Sequence, residues 1–323
     1  MKKQAVPAAG PVTSGSKEIK IYSRRTRVVR ENLELWSFII PAAALIILFN
    51  YAPMYGIIIA FQNYFPGSDF FSERTVWVGL KHFIDFAKSE YFTRVVGNSI
   101  TLSLLNLMFG FWLPIIFALI LNEIRNLKFK KFVQTASYLP YFISNVVVAG
   151  MAISFCQPTG LVNIILEVFG IQAKSWLDIP DKFPMIYTII NVWKSFGFNS
   201  VLYFSTISAI DPSLYESARI DGGNRWHQCW HITLPGLKSI IAIQFILALG
   251  GILNANSDLI ILIYNPATYE TADVIGSYTY REGITNGKYS YTTAVGLFMS
   301  AIGFTLTFIA NKVSNWLTGF GLW

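Results

Sequence analysis

Glu216-Ser217-Ala218-Arg219-Ile220-Asp221-Gly222, followed by Ile232-Thr233-Leu234-Pro235, is a short polar segment between two long apolar runs. Asp211-Pro212 reads as an N-cap with proline at the first helical position, and Gly222-Gly223 reads as a left-handed C-terminal stop. These signals frame a helix of about ten residues with small Ser217, Ala218 and Gly222 along its surface. A bilayer crossing takes about 20 residues, so this helix lies outside the membrane and meets something there. An ordinary amphipathic connector also satisfies helix physics.

The rest of the chain sets the context. Of its 323 residues, 53% are hydrophobic and 13% charged. Soluble domains average about 25% charged residues, so there are too few charges here to cover a globular surface. The charges also cluster between long apolar runs, which makes this a polytopic, all-α membrane protein. Six runs are long enough to span: Leu35–Phe61, Val95–Leu121, Phe132–Phe155, Pro184–Tyr203, Leu237–Tyr264 and Tyr291–Leu317. Pro41 and Ala52-Pro53 interrupt the first, which predicts a kink or an early break.

Lysine and arginine beside the spans set the orientation. Sixteen lie on one side: the eight of the N-terminal tail, Arg125, Lys128, Lys130, Lys131, Arg219, Arg225, Lys238 and Lys312. Eight lie on the other: Arg74, Lys81, Lys88, Arg94, Lys174, Lys182, Arg281 and Lys288. Both termini and the Glu216 loop are therefore expected to be cytoplasmic. The net charge of +7 is mostly this bias, and no domain-sized soluble segment exists to bind nucleic acid. Residues 1–32 read as a basic cytoplasmic tail, disordered up to Lys17, and 33–323 as the transmembrane domain with its core at about 93–315. Lys20–Arg30 either lies against anionic headgroups or only fixes topology. Thirty polar residues ahead of the first apolar run argue against a cleavable signal peptide. Cys156 and Cys229 fall on opposite sides of the membrane, so they neither pair nor share a metal.

Catalytic signals are missing. Gly283-Ile284-Thr285-Asn286-Gly287-Lys288-Tyr289 has three residues between its glycines where a P-loop needs four, and tyrosine where serine or threonine is needed. ATP-driven work must therefore come from a partner. His227 and His231 are four apart, but Gln228 stands where a metalloprotease helix has glutamate. Beside Trp226 and Trp230 they read as part of an interfacial or docking surface. No catalytic residue, cofactor site or metal site is assigned.

Polar groups within spans are costly in lipid and face protein or water. Lys194, in Trp193-Lys194-Ser195-Phe196-Gly197-Phe198-Asn199, lies near the middle of the fourth run, and Asn254, Asn256, Ser257 and Asp258 form a second cluster in the fifth. Lys194 is a candidate to pair with Asp258; alternatively, Asp258 sits hydrated near the outer headgroups. Amides and rings suit the hydroxyls and flat C–H faces of a sugar. The candidates for the translocation path are Trp193, Lys194, Asn199, Tyr203, Asn254, Asn256 and Asp258, with Tyr264 either a contact or a headgroup anchor.

The spacing Glu-x-Ala-x-x-x-Gly, nine residues, then Ile-x-Leu-Pro resembles the signature loop of ABC importer membrane subunits, with Ser217 and Gly223 where that family usually has alanine. Tyr51-Ala52-Pro53-Met54-Tyr55-Gly56, Asn98-Ser99-Ile100-Thr101-Leu102, Tyr138-Leu139-Pro140-Tyr141-Phe142-Ile143-Ser144 and Ala272-Asp273-Val274-Ile275 are similar to its carbohydrate branch. The resemblance implies a type I importer permease fold and a sugar substrate. It also implies a second permease subunit, two ATPase subunits and an extracellular solute-binding protein meeting the loops Phe65–Arg94 and Pro266–Ser290. Glu216, Ser217, Ala218, Asp221, Gly222 and Gly223 would form the coupling helix that docks into the ATPase. Two other classes fit the residues alone: an ion-driven secondary transporter or channel, and a membrane scaffold recruiting a soluble enzyme.

Overall fold

The computed structural model describes residues 36–72 and 75–322. The expectations for the N-terminal tail, including Lys20–Arg30, and for Arg74 lie outside the described residues. Contacts divide the chain into two units, one ending at Gly56 and the other running from Ile57 to Trp323.

Within the first unit, residues 36–56 are helical and almost entirely exposed, as expected of a surface meant for lipid or partners rather than water. Pro41 does not break this helix. The irregularity is a π-helical turn at Ile47–Tyr51, just before Ala52-Pro53. Pro53 has no N–H to give, and its ring crowds the carbonyl four residues back, which is Phe49 inside that turn.

The second unit opens with a two-residue antiparallel ribbon, β1 (Gln62–Asn63) and β2 (Val76–Trp77). After it come α1 (Lys81–Lys88), α2 (Tyr91–Glu123), α3 (Leu127–Tyr138), α4 (Asn145–Cys156) and α5 (Phe183–Ser208). Then follow α6 (Pro212–Ile220), α7 (Arg225–Gly250), α8 (Ser257–Ile263), α9 (Ile275–Tyr280) and α10 (Tyr289–Thr318). Among the described residues, five helical stretches are long and apolar enough to cross a membrane: Trp36–Phe61, Tyr91–Glu123, Asn145–Glu167, Arg225–Gly250 and Tyr289–Leu317. The 26-residue α5 is long enough too, but Asn191, Lys194, Ser195 and Asn199 make one side of it polar and keep it out of that set.

Two of the six expected runs are not continuous helices. Phe132–Phe155 is broken: α3 ends at Tyr138, a 3-10 turn covers Leu139–Phe142, and α4 restarts at Asn145. Pro140 cannot continue the helical ladder, and the Ser144 hydroxyl caps the new helix by accepting from Val147 N at 3.3 Å. Leu237–Tyr264 is likewise split, because α7 stops at Gly250 and the chain unwinds until Asn256 caps α8. The Asn256 backbone N–H donates to the Tyr187 hydroxyl at 3.0 Å, so a group freed from the helix is satisfied by a side chain.

Small residues let these helices approach closely. A Cβ on Gly197 of α5 would fall 2.0 Å from the Ser137 carbonyl oxygen of α3. One on Gly250 of α7 would meet Thr307 Oγ1 of α10 at 2.1 Å. Packing through glycine replaces the hydrophobic drive that lipid cannot supply between apolar helices. The core joins Leu102, Phe183, Tyr187, Leu259, Ile260 and Val274, all buried. A second cluster gathers around Phe86, Val95, Ile275 and Val295.

Side-chain contacts sort the loops of this unit into two ends. Arg225 pairs with Glu123 at 3.0 Å, and the Tyr215 hydroxyl meets Thr233 Oγ1 at 3.0 Å, which groups the 124–126 and 209–224 connections. Asn265 Nδ2 donates to Asp178 Oδ1 at 2.6 Å and Thr271 Oγ1 to the Pro180 carbonyl at 2.6 Å, which groups 157–182 with 264–273. Lysine counting alone separates these loops the same way.

Candidate functional site

Between α2, α5 and α7 lies a cavity of about 650 Å³. Ser103, Asn106, Asn191, Ser195, Asn199, Gln244, Asn254 and Asn256 supply its polar lining, with Phe111, Phe198 and Tyr203 as ring surfaces. Among the described residues no lysine, arginine or carboxylate lines it. Irregular backbone shapes two walls: the π-turn Leu107–Phe111 interrupts α2 beside Asn106, and the unwound 251–256 stretch follows α7. Both are breaks of the kind tolerated at membrane depth where backbone borders a cavity.

Three amides form a chain along one wall. Asn256 Nδ2 donates to Asn191 Oδ1 at 3.0 Å, Asn191 Nδ2 to Asn106 Oδ1 at 2.8 Å, and Asn106 Nδ2 to the Leu102 carbonyl at 2.9 Å. Asn199 and Asn254 are exposed, with no side-chain hydrogen bond to the described residues. The wall is thus braced on one side and offers free donors and acceptors on the other, while Tyr203 adds a buried ring.

The sequence candidates divide. Asn199, Tyr203, Asn254 and Asn256 line the cavity. Trp193 does not: on α5 it points into an apolar groove with Phe109, Leu113, Met185 and Phe196. Lys194 does not pair with Asp258. Its Nζ donates to Asn145 Oδ1, while Asp258 is exposed in the first turn of α8. The helix break decides this, because it brings the start of α4 against α5 and gives the lysine a nearer acceptor. Asn106, Asn191 and Gln244 were not among the candidates. Their signal was available, since each is an amide inside an apolar run.

The α6 helix is the second element of the site. The Asp211 carboxylate accepts from Ser213 N at 2.9 Å, and that hydrogen bond holds the carboxyl below its ordinary range. At the other end Gly222 has φ +81°, its N–H donates to the Arg219 carbonyl, and Gly223 N donates to the Ala218 carbonyl at 2.7 Å. This pair of bonds is a Schellman stop. Gly223 lets the helix end close tightly, because a Cβ there would meet the Ala218 oxygen at 2.7 Å. No residue of α6 is buried, and Leu214 and Ile220 are 51% and 86% exposed. The helix is capped at both ends and leaves these apolar side chains uncovered. Next to it the His227 and His231 rings stack at 4.0 Å, beside Trp226 and Trp230.

At the opposite end sits an ion cluster. Asp273 is fully buried; its Oδ2 takes Arg281 Nη2 at 2.6 Å and Arg94 Nη2 at 3.3 Å, and its Oδ1 takes Arg281 Nη1 at 3.1 Å and Ser277 Oγ at 2.9 Å. Burial disfavours the Arg281 charge, but the Asp273 carboxylate outweighs it and the guanidinium is held above its ordinary range. Arg281 also lies over the Tyr269 ring at 4.8 Å. The cluster ties the 264–288 segment to the start of α2.

Residues 110–318 match the family described as binding-protein-dependent transport system inner membrane component. The chain belongs to that family. As a member of it, this inner-membrane component is a transport subunit and not itself an enzyme. A relative from Bacillus subtilis (strain 168), the polygalacturonan/rhamnogalacturonan transport system permease protein YteP, is 39% identical over 284 residues, covering 87% of each chain. Among solved structures, a chain of a bacterial ABC transporter involved in import of the acidic polysaccharide alginate superposes with a TM-score of 0.81 at 39% identity, covering 92% of this chain and all of that one. A chain of a bacterial alginate ABC transporter, in complex with its alginate pentasaccharide-bound periplasmic protein, gives 0.82 at 38%, covering 93% and 100%. The fold of this inner-membrane component is therefore that of a type I importer permease.

Proposed function

We propose that this chain is one of two permease subunits of an ATP-driven oligosaccharide importer, and that its amide-lined cavity is half of the translocation path. The single observation that carries this reading is an uncharged, hydroxyl- and amide-rich cavity inside an otherwise apolar helical bundle, bordered by irregular backbone. Alternating access around a mid-membrane site needs such a cavity. The sugar class is supported by relatives whose names and titles carry polygalacturonan, rhamnogalacturonan and alginate.

In this reading both termini and the α6 end are cytoplasmic. Glu216, Ser217, Ala218, Asp221, Gly222 and Gly223 form or stop the helix that docks into one of two ATPase subunits. The opposite end, with its 264–288 segment and the Asp273 cluster, receives the extracellular solute-binding protein. Exposure of Leu214 and Ile220 supports α6 as the docking element.

Reconstitution tests the proposal. Purified chain with its second permease, ATPases and binding protein in proteoliposomes should import oligosaccharide only with ATP inside. Glu216→Lys or Gly222→Asp should abolish copurification of the ATPase. Solute movement by the chain alone down an ion gradient would overturn the proposal and leave a secondary transporter.

A further inference from the structure

Lys194 is a cation in the middle of a span with no carboxylate among the described residues to answer it. It is the twelfth residue of the 26-residue α5, about 17 Å along that helix at 1.5 Å per residue. Among the described residues no ion pair involves it, and its one side-chain partner is the Asn145 amide. An amide oxygen satisfies a proton of an ammonium but does not neutralise its charge. Intramembrane charges of this kind face a cavity or a partner and mark substrate paths.

Helix geometry says which way it faces. At about 100° per residue, Lys194 projects between Val201 and Ser205, and both of these line the cavity. Trp193, Ile189 and Phe196, which line the apolar groove, lie about 100–160° around α5 from it. The Cα–Cβ bonds of a helix tilt toward its N-terminus, so the lysine leans toward the Phe183 end and reaches Asn145 at the restart of the broken crossing. Lys194 is not itself among the lining residues; it stands half-buried on the stripe of α5 that borders them, between the cavity and Asn145. Below it the lining is neutral.

We infer that Lys194 is the specificity-determining residue for acidic oligosaccharides, pairing with a sugar carboxylate as the chain passes the rim of the cavity. The inference rests on the reading of that cavity as the sugar path. A uronate entering an uncharged, low-dielectric cavity would lose hydration with nothing to replace it. A single cation on a flexible stem offers each carboxylate of a moving chain a transient partner in turn. Asn145 keeps the ammonium in place while no substrate is present.

The test uses the complete reconstituted transporter with two probes of equal length: tetragalacturonate and its carboxyl-reduced, neutral counterpart. ATPase stimulation by the binding protein in the wild type reports on the importer reading separately; its absence would remove that reading whatever Lys194 does. Lys194→Gln should lower import of the uronate at least tenfold and leave the reduced sugar within about twofold, while Lys194→Arg should retain both. The inference is overturned if wild type imports only the neutral probe or neither probe. Equal import of both probes by Lys194→Gln and wild type also overturns it. So does an equal loss of both probes accompanied by loss of the second permease on purification, which would mean that the lysine answers a carboxylate of that subunit.

Discussion

Asp273 and Asn191 are both polar groups enclosed by an apolar chain, and they are handled in opposite ways. Around Asp273 two arginines and a serine saturate a fully buried carboxylate, leaving the ligands fixed and the charge answered within the chain. Around Asn191 the groups are neutral, each amide braces the next, and the far side of the array opens onto a cavity with unused donors and acceptors. The first arrangement suits a clamp, because burying a charge is tolerable only with complete pairing. The second suits passage, since a sugar must exchange hydrogen bonds with the wall repeatedly and none can be too strong. The contrast predicts that stability and transport are controlled from different regions.

The hardest test of this contrast is Asp273→Asn. It keeps the shape of the side chain but leaves Arg281 and Arg94 as buried or half-buried cations without a counter-charge. The expected cost is about 3–5 kcal/mol, read as a large drop in melting temperature of the detergent-solubilised protein. Asp273→Leu with Arg281→Met should recover much of that loss, because only the more exposed Arg94 is then left without a counter-charge. If the single change melts like wild type, the cluster is not a clamp.

Asn191→Leu is the matching change in the cavity. It strands the Asn106 carbonyl oxygen and the Asn256 amide donors, for about 1–3 kcal/mol at most, since both can turn to cavity water. Import should fall much further than stability does. An equal fall in both would erase the distinction between passage wall and clamp.

How much of this was legible beforehand follows from what each signal needs. The α6 helix was readable because its cap, Asp211-Pro212, and its stop, Gly222-Gly223, are both local, and local chemistry is written in adjacent residues. The helical membrane class was readable because apolar run length is also local. The broken crossings were not, although Leu139-Pro140 and Gly250-Gly251 mark them, because the apolar composition continues across each break and run length sees no boundary there. The pairing of Lys194 was misread for the same reason. In an unbroken span Asn145 carries no special position, whereas the restart at Ser144 brings it to the lysine. Asn106 and Asn191 were visible as amides in apolar runs, but their junction joins residues 85 apart and is a tertiary fact. Asp273 with Arg94 is another, at a separation of 179.

Between these regions and α6 the expected effects on stability shrink further. Gly222→Ala places a side chain at φ +81°, where a non-glycine residue costs about 1–2 kcal/mol, and frays only the end of an exposed helix. Amide hydrogen exchange at Gly222 and Gly223 should quicken, because their N–H groups make the two stop bonds, while exchange in α5 stays unchanged. Faster exchange throughout α5 would mean that α6 is part of the packed bundle.

The smallest stability effect is expected at Glu216→Lys, and this is where the comparison is sharpest. Glu216 is exposed, and none of the described ion pairs includes it, so a change of sign there should alter stability by no more than about 0.5 kcal/mol. Its consequence for ATPase retention should nevertheless be total if, as proposed, the exposed face of α6 docks into the ATPase. Melting and copurification measured on the same preparation separate the two. An unchanged melting temperature with the ATPase lost puts the coupling surface on α6. An unchanged melting temperature with the ATPase retained moves it to the neighbouring Trp226–Trp230 face, where the stacked His227 and His231 and two exposed tryptophans form another apolar surface.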